Sequence, residues 1–304
     1  MLAADTTVSR ATAPPGAAVA PSRTIDAAAP VNALTIDVED YFQVSAFAPY
    51  IDRSQWDRLP CRVEANVERI LAMLEQANVK ATFFTLGWVA ERYPQVVRVI
   101  HAAGHELASH GFAHRRATDQ TPKEFLSDIR LAKAILEDVS GTTVTGYRAP
   151  SFSIGPANPW AFECIAQAGY RYSSSLYPIR HDHYGAPDAP RFAHEVRPGL
   201  LEVPITTMQA FRSNWPAGGG GYFRLLPYAL SRWSIARVNR VDRQPAIFYF
   251  HPWEIDHAQP RIAAGAKARF RHYVNLHRTE PRLRRLLRDF RWDRVDRVFL
   301  HGAR

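Results

Sequence analysis

Gly104-His105-Glu106-Leu107-Ala108-Ser109-His110-Gly111-Phe112-Ala113-His114 is the stretch on which the fold turns. Pro94 opens a helix that Gly104 stops, and Glu106 to Ser109 then reads as a short strand that delivers two histidines four residues apart. If the backbone coils into one helical turn after that strand, His110 and His114 point the same way. Two neutral imidazoles converging on one point are half of a divalent-metal site. A histidine pair is also an ordinary surface or core feature. The metal reading therefore needs an acidic third ligand, an open coordination position and an acid-base pair from elsewhere in the chain.

Working outward, the same strand-then-helix alternation recurs. Ala33 to Ile36 is an apolar strand running into Asp37-Val38-Glu39-Asp40. Strand alternation puts Asp37 and Glu39 on one face, although acidic residues also favour the turn that follows a strand. Val63, Val67, Ile70, Leu71 and Leu74 keep helical spacing, and Val79 to Leu86 is a β-branched and aromatic strand. Thr121-Pro122-Lys123-Glu124 is a capping box opening a helix that runs to Gly141. Further strands are expected at Thr143 to Tyr147, Leu201 to Thr206, Ala246 to Phe250 and Arg297 to Leu300, with helices at Pro159 to Ala168, Leu226 to Val238 and Arg261 to Leu286. The class is α/β with a parallel sheet. The irregular stretch from Gly169 to Thr206 favours a distorted (β/α) barrel over a clean eightfold one. In a parallel barrel the carboxyl ends of all strands share one rim. Asp37, Glu39, His110, His114, Arg148 and His251 all follow strands and should meet there.

Composition bounds the rest. The 304 residues are 46% hydrophobic, enough for one large domain, which is expected over residues 31–304. Residues 1–30 are rich in Ala, Pro and Thr and read as a disordered tail. Net charge is +9, with much of the excess in a basic helical segment from Arg261 onward. Such a segment is either a solvated helix face or a surface that attracts acidic glycans or anionic lipid. There is no nucleic-acid motif, no apolar run of transmembrane length and no secretory pattern at Met1-Leu2-Ala3-Ala4-Asp5, so the cytoplasm is the expected compartment. Two cysteines, Cys61 and Cys164, do not suggest a disulfide framework.

Five stretches, in order, resemble the polysaccharide deacetylases of the NodB-homology class (carbohydrate esterase family 4), and more narrowly the branch associated with exosortase and exopolysaccharide systems. They are Thr35 to Gln43, Thr82-Phe83-Phe84, Gly104 to His114, Gly146 to Ser151 and Phe248 to Glu254. The resemblance implies a distorted (β/α) barrel and metal-dependent removal of N-acetyl groups from amino sugars of a polysaccharide, such as an exopolysaccharide, or its precursor. Carried over residue by residue, it implies His110, His114 and Glu39 as metal ligands, with Asp40 the fallback acid. Asp37 would be general base, Arg148 its partner, His251 general acid and the backbone near Ser151 an oxyanion donor. Two imidazoles and one carboxylate suit zinc, with cobalt, nickel or iron as substitutes. Ser173 stands where relatives carry an aspartate that tunes the acid histidine; either Glu254, Asp256 or another acid takes its place, or activity is weakened or lost. The run Ala217 to Phe223 is a surface loop or a sugar-facing lip, with Trp215, Tyr222 and Trp253 offering flat faces to a pyranose. The alternatives are a hydrolase of small amides on the same fold and a catalytically impaired relative that binds glycans. The expected partner is an N-acetylated glycan, with peripheral association to an exopolysaccharide assembly system at the inner face of a membrane.

Overall fold

The computed structural model describes residues 29–182 and 184–300. The expected disordered tail therefore falls almost entirely outside the described residues. Among the described residues there are eleven strands: β1 Asn32–Val38, β2 Thr82–Thr85, β3 Glu106–Ser109, β4 Gly146–Tyr147, β5 Tyr172–Ser173, β6 His194–Arg197, β7 Leu200–Glu202, β8 Thr207–Ala210, β9 Ser213–Pro216, β10 Ile247–Phe250 and β11 Trp292–Asp293. Nine α-helices accompany them among the same residues: α1 Val63–Gln76, α2 Gly87–Arg92, α3 Pro94–Ala102, α4 Pro122–Ser140, α5 Trp160–Gln167, α6 Gly220–Leu225, α7 Tyr228–Arg237, α8 Ala266–Tyr273 and α9 Leu276–Asp289.

The main sheet runs β10-β1-β2-β3-β4-β5-β7-β6, with β11 beside the start of β1. Every pairing is parallel except β6 with β7. No pairing joins β10 to β6 among the described residues, so the sheet is a curled, open half-barrel. Alternation along the strands sorts its two faces. Leu34, Ile36 and Val38 of β1, Phe83 of β2, Leu107 of β3 and Phe248 and Phe250 of β10 pack under the helices. Ala33, Phe84, Ala108, Ile247 and Tyr249 point to the opposite, concave side. Asp37 keeps the phase of Ala33 and Thr35, so it too belongs to the concave side.

Several boundaries follow local chemistry closely. Helix α3 starts at Pro94, and α4 carries the capping box, with Thr121 and Glu124 bonding reciprocally and Gly141 closing the helix at φ 67°. Others differ from expectation. The basic tail is two helices, because Asn275 at φ 53° interrupts it. The described residues end in a π turn, Asp296–Leu300, and the last strand among them is the short β11. The strand expected from Leu201 to Thr206, with Pro204 interrupting it, does end at Glu202 before that proline, and the chain continues as the separate hairpin β8–β9. The glycine run is held against the sheet edge. Gly218 O accepts from Tyr249 N at 2.7 Å, and a Cβ on Gly219 (φ 114°) would lie 2.1 Å from Tyr249 O. Only glycine lets the backbone approach the edge of β10 so closely.

Candidate active site

Strand ends deliver the polar groups to the concave rim. After Val38 the chain tightens, with Glu39 N donating to Asp37 O at 3.0 Å. Both carboxylates are buried and face different partners. His110 and His114 converge by a route that helical spacing does not describe. Gly111 (φ 76°) and His114 (φ 49°) are left-handed, so the segment is a tight loop and not the expected helical turn. The first N–H groups of α2, which have no partner within their helix, hold that loop: Gly87 N and Trp88 N donate to the carbonyls of Gly111 and Phe112. Arg53 clamps its far end through the carbonyls of Ala113 and His114. The imidazole centroids end 5.3 Å apart.

Glu39, His110 and His114 each offer a ligand atom, and these atoms all lie within 4.8 Å of one another. His110 Nδ1 lies 2.9 Å from the Arg148 carbonyl. A carbonyl only accepts, so Nδ1 carries the proton and Nε2 keeps its lone pair. Burial pushes the His110 imidazole down to about 4, against the pull of Asp37, so it is neutral as a metal ligand must be. Burial alone would raise the Glu39 carboxyl, but the imidazoles of His114 and His251 outweigh it and hold it below its ordinary range. Glu39 Oε2 is buried and lies 2.8 Å from His114 Nε2. A buried carboxylate oxygen gathered with two imidazole nitrogens is a donor set that fits a divalent metal.

Around this trio two further groups are fixed. Asp37 Oδ1 accepts from Arg148 Nη1 at 2.7 Å. Arg148 is fully buried, also bonds Thr35 and both the carbonyl and hydroxyl of Ser174, and lies 4.1 Å over the Phe84 ring. On the other side, His251 Nε2 lies 3.9 Å from Asp37 Oδ2 and 3.6 Å from Glu39 Oε1. Its Nδ1 is 2.6 Å from Glu254 Oε1, and Glu254 Oε2 accepts from Arg224 Nε at 2.6 Å. Burial lowers the His251 pKa, but Glu39, Glu254 and Asp37 together lift it to about 9. A bound cation opposes that lift.

The structure corrects several readings. Asp40 is not a spare ligand: Oδ1 accepts from Tyr41 N, and Oδ2 accepts from Arg62 N and Val63 N at the start of α1. Of the two acids considered for His251, Glu254 faces it, while Asp256 pairs with Arg62. Ser173 bonds Ser175 within a serine run that holds Arg148 and Ala149. Trp253 offers no face to a sugar. Only 5% exposed, it is stacked between His251 and His272 at centroid distances of 5.1 and 4.1 Å, and its Nε1 donates to Glu39 Oε1 at 3.1 Å. Trp215 lies in the β8–β9 hairpin, on a groove that shares no lining residue with the trio. Tyr222 lines that groove and approaches His181 edge-on at 6.4 Å. Ser151 sits at φ 55° with its hydroxyl 2.6 Å from that of Ser45. His105, just before β3, accepts from Ala81 N. Arg224 and His272 escaped sequence reasoning; an arginine after a glycine run and a lone histidine in a basic helix carry no signal.

Residues 54–173 match the family model described as polysaccharide deacetylase, and residues 174–300 match one described as a domain of unknown function, DUF3473. The two matched segments share one sheet, since β10 of the second pairs directly with β1. His110, His114 and Arg148 come from the first segment, His251, Glu254 and Arg224 from the second, and Asp37 and Glu39 from before both. A peptidoglycan deacetylase of Helicobacter pylori is 26% identical over 113 residues, 37% of this chain and 38% of that protein. A peptidoglycan-N-acetylglucosamine deacetylase of Bacillus cereus is 35% identical over 82 residues, 27% of this chain and 30% of that protein. The aligned part spans about a third of the length of these relatives. A crystal structure from Mycobacterium smegmatis, assigned to the polysaccharide deacetylases, superposes with a TM-score of 0.52 at 22% identity, covering 89% of this chain and 94% of that one. That likeness establishes the fold.

Proposed function

We propose that the concave rim hydrolyses the N-acetyl group of an amino sugar in a glycan, releasing acetate and leaving a free amine; the match of residues 54–173 to the polysaccharide deacetylase model supports this reading. The carrying observation is the convergence of Glu39, His110 and His114, with the Asp37–Arg148 and His251–Glu254 pairs beside them. A divalent cation held by Glu39 Oε2, His110 Nε2 and His114 Nε2 would supply Lewis acidity toward the acetyl carbonyl and the attacking water. Zinc suits two imidazoles and a carboxylate best.

This chain's own residues perform the proton chemistry. Asp37, fixed by the Arg148 guanidinium, accepts a proton from the attacking water. Attack converts the planar amide into a tetrahedral oxyanion, and the backbone N–H at Ser151 is assigned to stabilise it. His251 then protonates the sugar nitrogen as the carbon–nitrogen bond breaks, since an amide nitrogen leaves poorly without a proton. Glu254 keeps the His251 Nδ1 proton in place, so Nε2 faces the reaction. In this reading Glu254 takes over the work of the aspartate that Ser173 replaces.

The substrate we infer is an N-acetylated oligosaccharide or polysaccharide, with an exopolysaccharide or its precursor the favoured source. The test is acetate release from N-acetylglucosamine oligomers by chelated and zinc-restored protein, with small cyclic and linear amides in parallel. Zinc-dependent acetate release that disappears in His110→Ala and Asp37→Asn supports the proposal. Glycan binding without acetate release, or turnover of the small amides alone, refutes it.

A further inference from the structure

Large apolar side chains gather on one surface of the second matched segment. The β8–β9 hairpin stands off the main sheet, and its tip is Phe211-Arg212. Both tip residues are left-handed, at φ 52° and 60°. A two-residue hairpin turn of this kind prefers Asn-Gly, and a bulky residue there costs conformational energy. Turn formation does not explain a phenylalanine at that position, and packing does not either, because Phe211 is 96% exposed. Behind it lies a groove of about 970 Å³ lined by Phe211, Trp215, Leu225, Leu230 and Trp233. Those five are half of the ten exposed large hydrophobic residues among the described residues. An exposed apolar concentration of this kind marks an interaction surface.

Charge says what covers it. Arg180 and Arg212 line the same groove, both exposed and without an acidic partner among the described residues, against the single acid Asp188. Arg240 and Arg243 flank Val241, 60% exposed, in the turn that closes α7. Leucines and a projecting phenylalanine gain little from a polar pyranose. Tryptophan with arginine at its margin is instead the composition that settles at the boundary between acyl chains and headgroups.

We propose that the β8–β9 hairpin and the outer face of α7 form a membrane-docking surface for anionic phospholipid, with Phe211 entering the acyl boundary and Arg180 and Arg212 meeting the headgroups. This would hold the deacetylase rim beside a lipid-carried or membrane-extruded glycan, although the docking itself does not depend on that activity. The groove shares no lining residue with the basic segment α8–α9.

The test is co-sedimentation of the full chain with phosphatidylcholine vesicles containing or lacking phosphatidylglycerol. Binding should require the anionic lipid. Phe211→Asp should weaken it on the order of tenfold or more. Arg180→Gln and Arg212→Gln should each weaken it roughly fivefold. All three positions are exposed and Asp tolerates the left-handed turn at position 211, so thermal melting should not fall. Brominated acyl chains should quench the fluorescence of the wild type, and the quenching should fall in the Trp215→Phe, Trp233→Phe double variant. Absence of vesicle binding overturns the proposal. So does binding that Phe211→Asp leaves unchanged while Arg278→Gln with Arg288→Gln in α9 abolishes it. Quenching by soluble N-acetylated oligosaccharide without any response to vesicles would reassign the groove to glycan.

Discussion

Glu254→Gln removes one negative charge and preserves the volume, so it isolates what that charge does. Glu254 is 1% exposed and Arg224 3%, and their bond is 2.6 Å. Removing one partner of a buried pair leaves the other uncompensated, at about 3–5 kcal/mol. Arg224 keeps its bonds to the carbonyls of Arg271, His272 and Val274, which favours the lower end. At roughly 2–4 °C per kcal/mol, the melting temperature should fall by about 6–12 °C. The catalytic effect is larger. The carboxylate holds the proton on His251 Nδ1, and an amide can present its NH₂ there and favour the wrong tautomer. Loss of a positioned general acid costs about 10²–10⁴-fold, and the loss should fall on kcat with KM little changed. The assay is acetate release at saturating zinc, below the variant's melting temperature, with zinc affinity measured separately. A kcat within about threefold of wild type would refute the assigned role. A fall in kcat that tracks loss of zinc would also sink it, because the defect would then be collapse of the metal trio.

Three other changes probe different parts of the site. Trp253→Phe deletes the indole N–H that holds Glu39 Oε1 while keeping a ring between His251 and His272; zinc affinity by calorimetry should drop about 10–100-fold. Arg148→Lys keeps a positive charge but cannot reproduce the bonds to Thr35, Asp37 and Ser174 or the contact over Phe84, so urea unfolding should register a loss of about 3 kcal/mol along with lost activity. Glu106 is buried at the opposite end of β3, where it accepts from Thr82 and Tyr172, and burial together with the neighbouring Asp296 carboxylate pushes its carboxyl from the ordinary 4.5 up to about 8. Between those values the folded state keeps a proton that the unfolded chain has released, so stability should fall as pH rises through the window, at up to ~1.4 kcal/mol per pH unit. Glu106→Gln should flatten that part of the unfolding profile, and an unchanged slope would show that Glu106 is not its source.

The sequence by itself determined the alternation of strands and helices, because the periods of apolar residues, the capping box at Thr121 and Pro94 at a helix start are local signals. It also determined which polar residues end strands, and a parallel sheet brings strand ends to one rim whatever the exact closure. Only the tertiary structure decided how those residues meet. The two histidines converge through left-handed backbone at Gly111 and His114, which is held by α2 and Arg53 and leaves no helical period to read. Asp40 and Trp253 have the right chemistry for ligand and sugar platform, but packing commits one to the start of α1 and the other to a ring stack. Arg224 and Glu254 are thirty residues apart, and their bond depends on where α6, α8 and β10 come to rest. Spacing along a chain specifies direction within one element. Distances between elements come from the packing of the whole core, and that is the information a linear pattern does not hold.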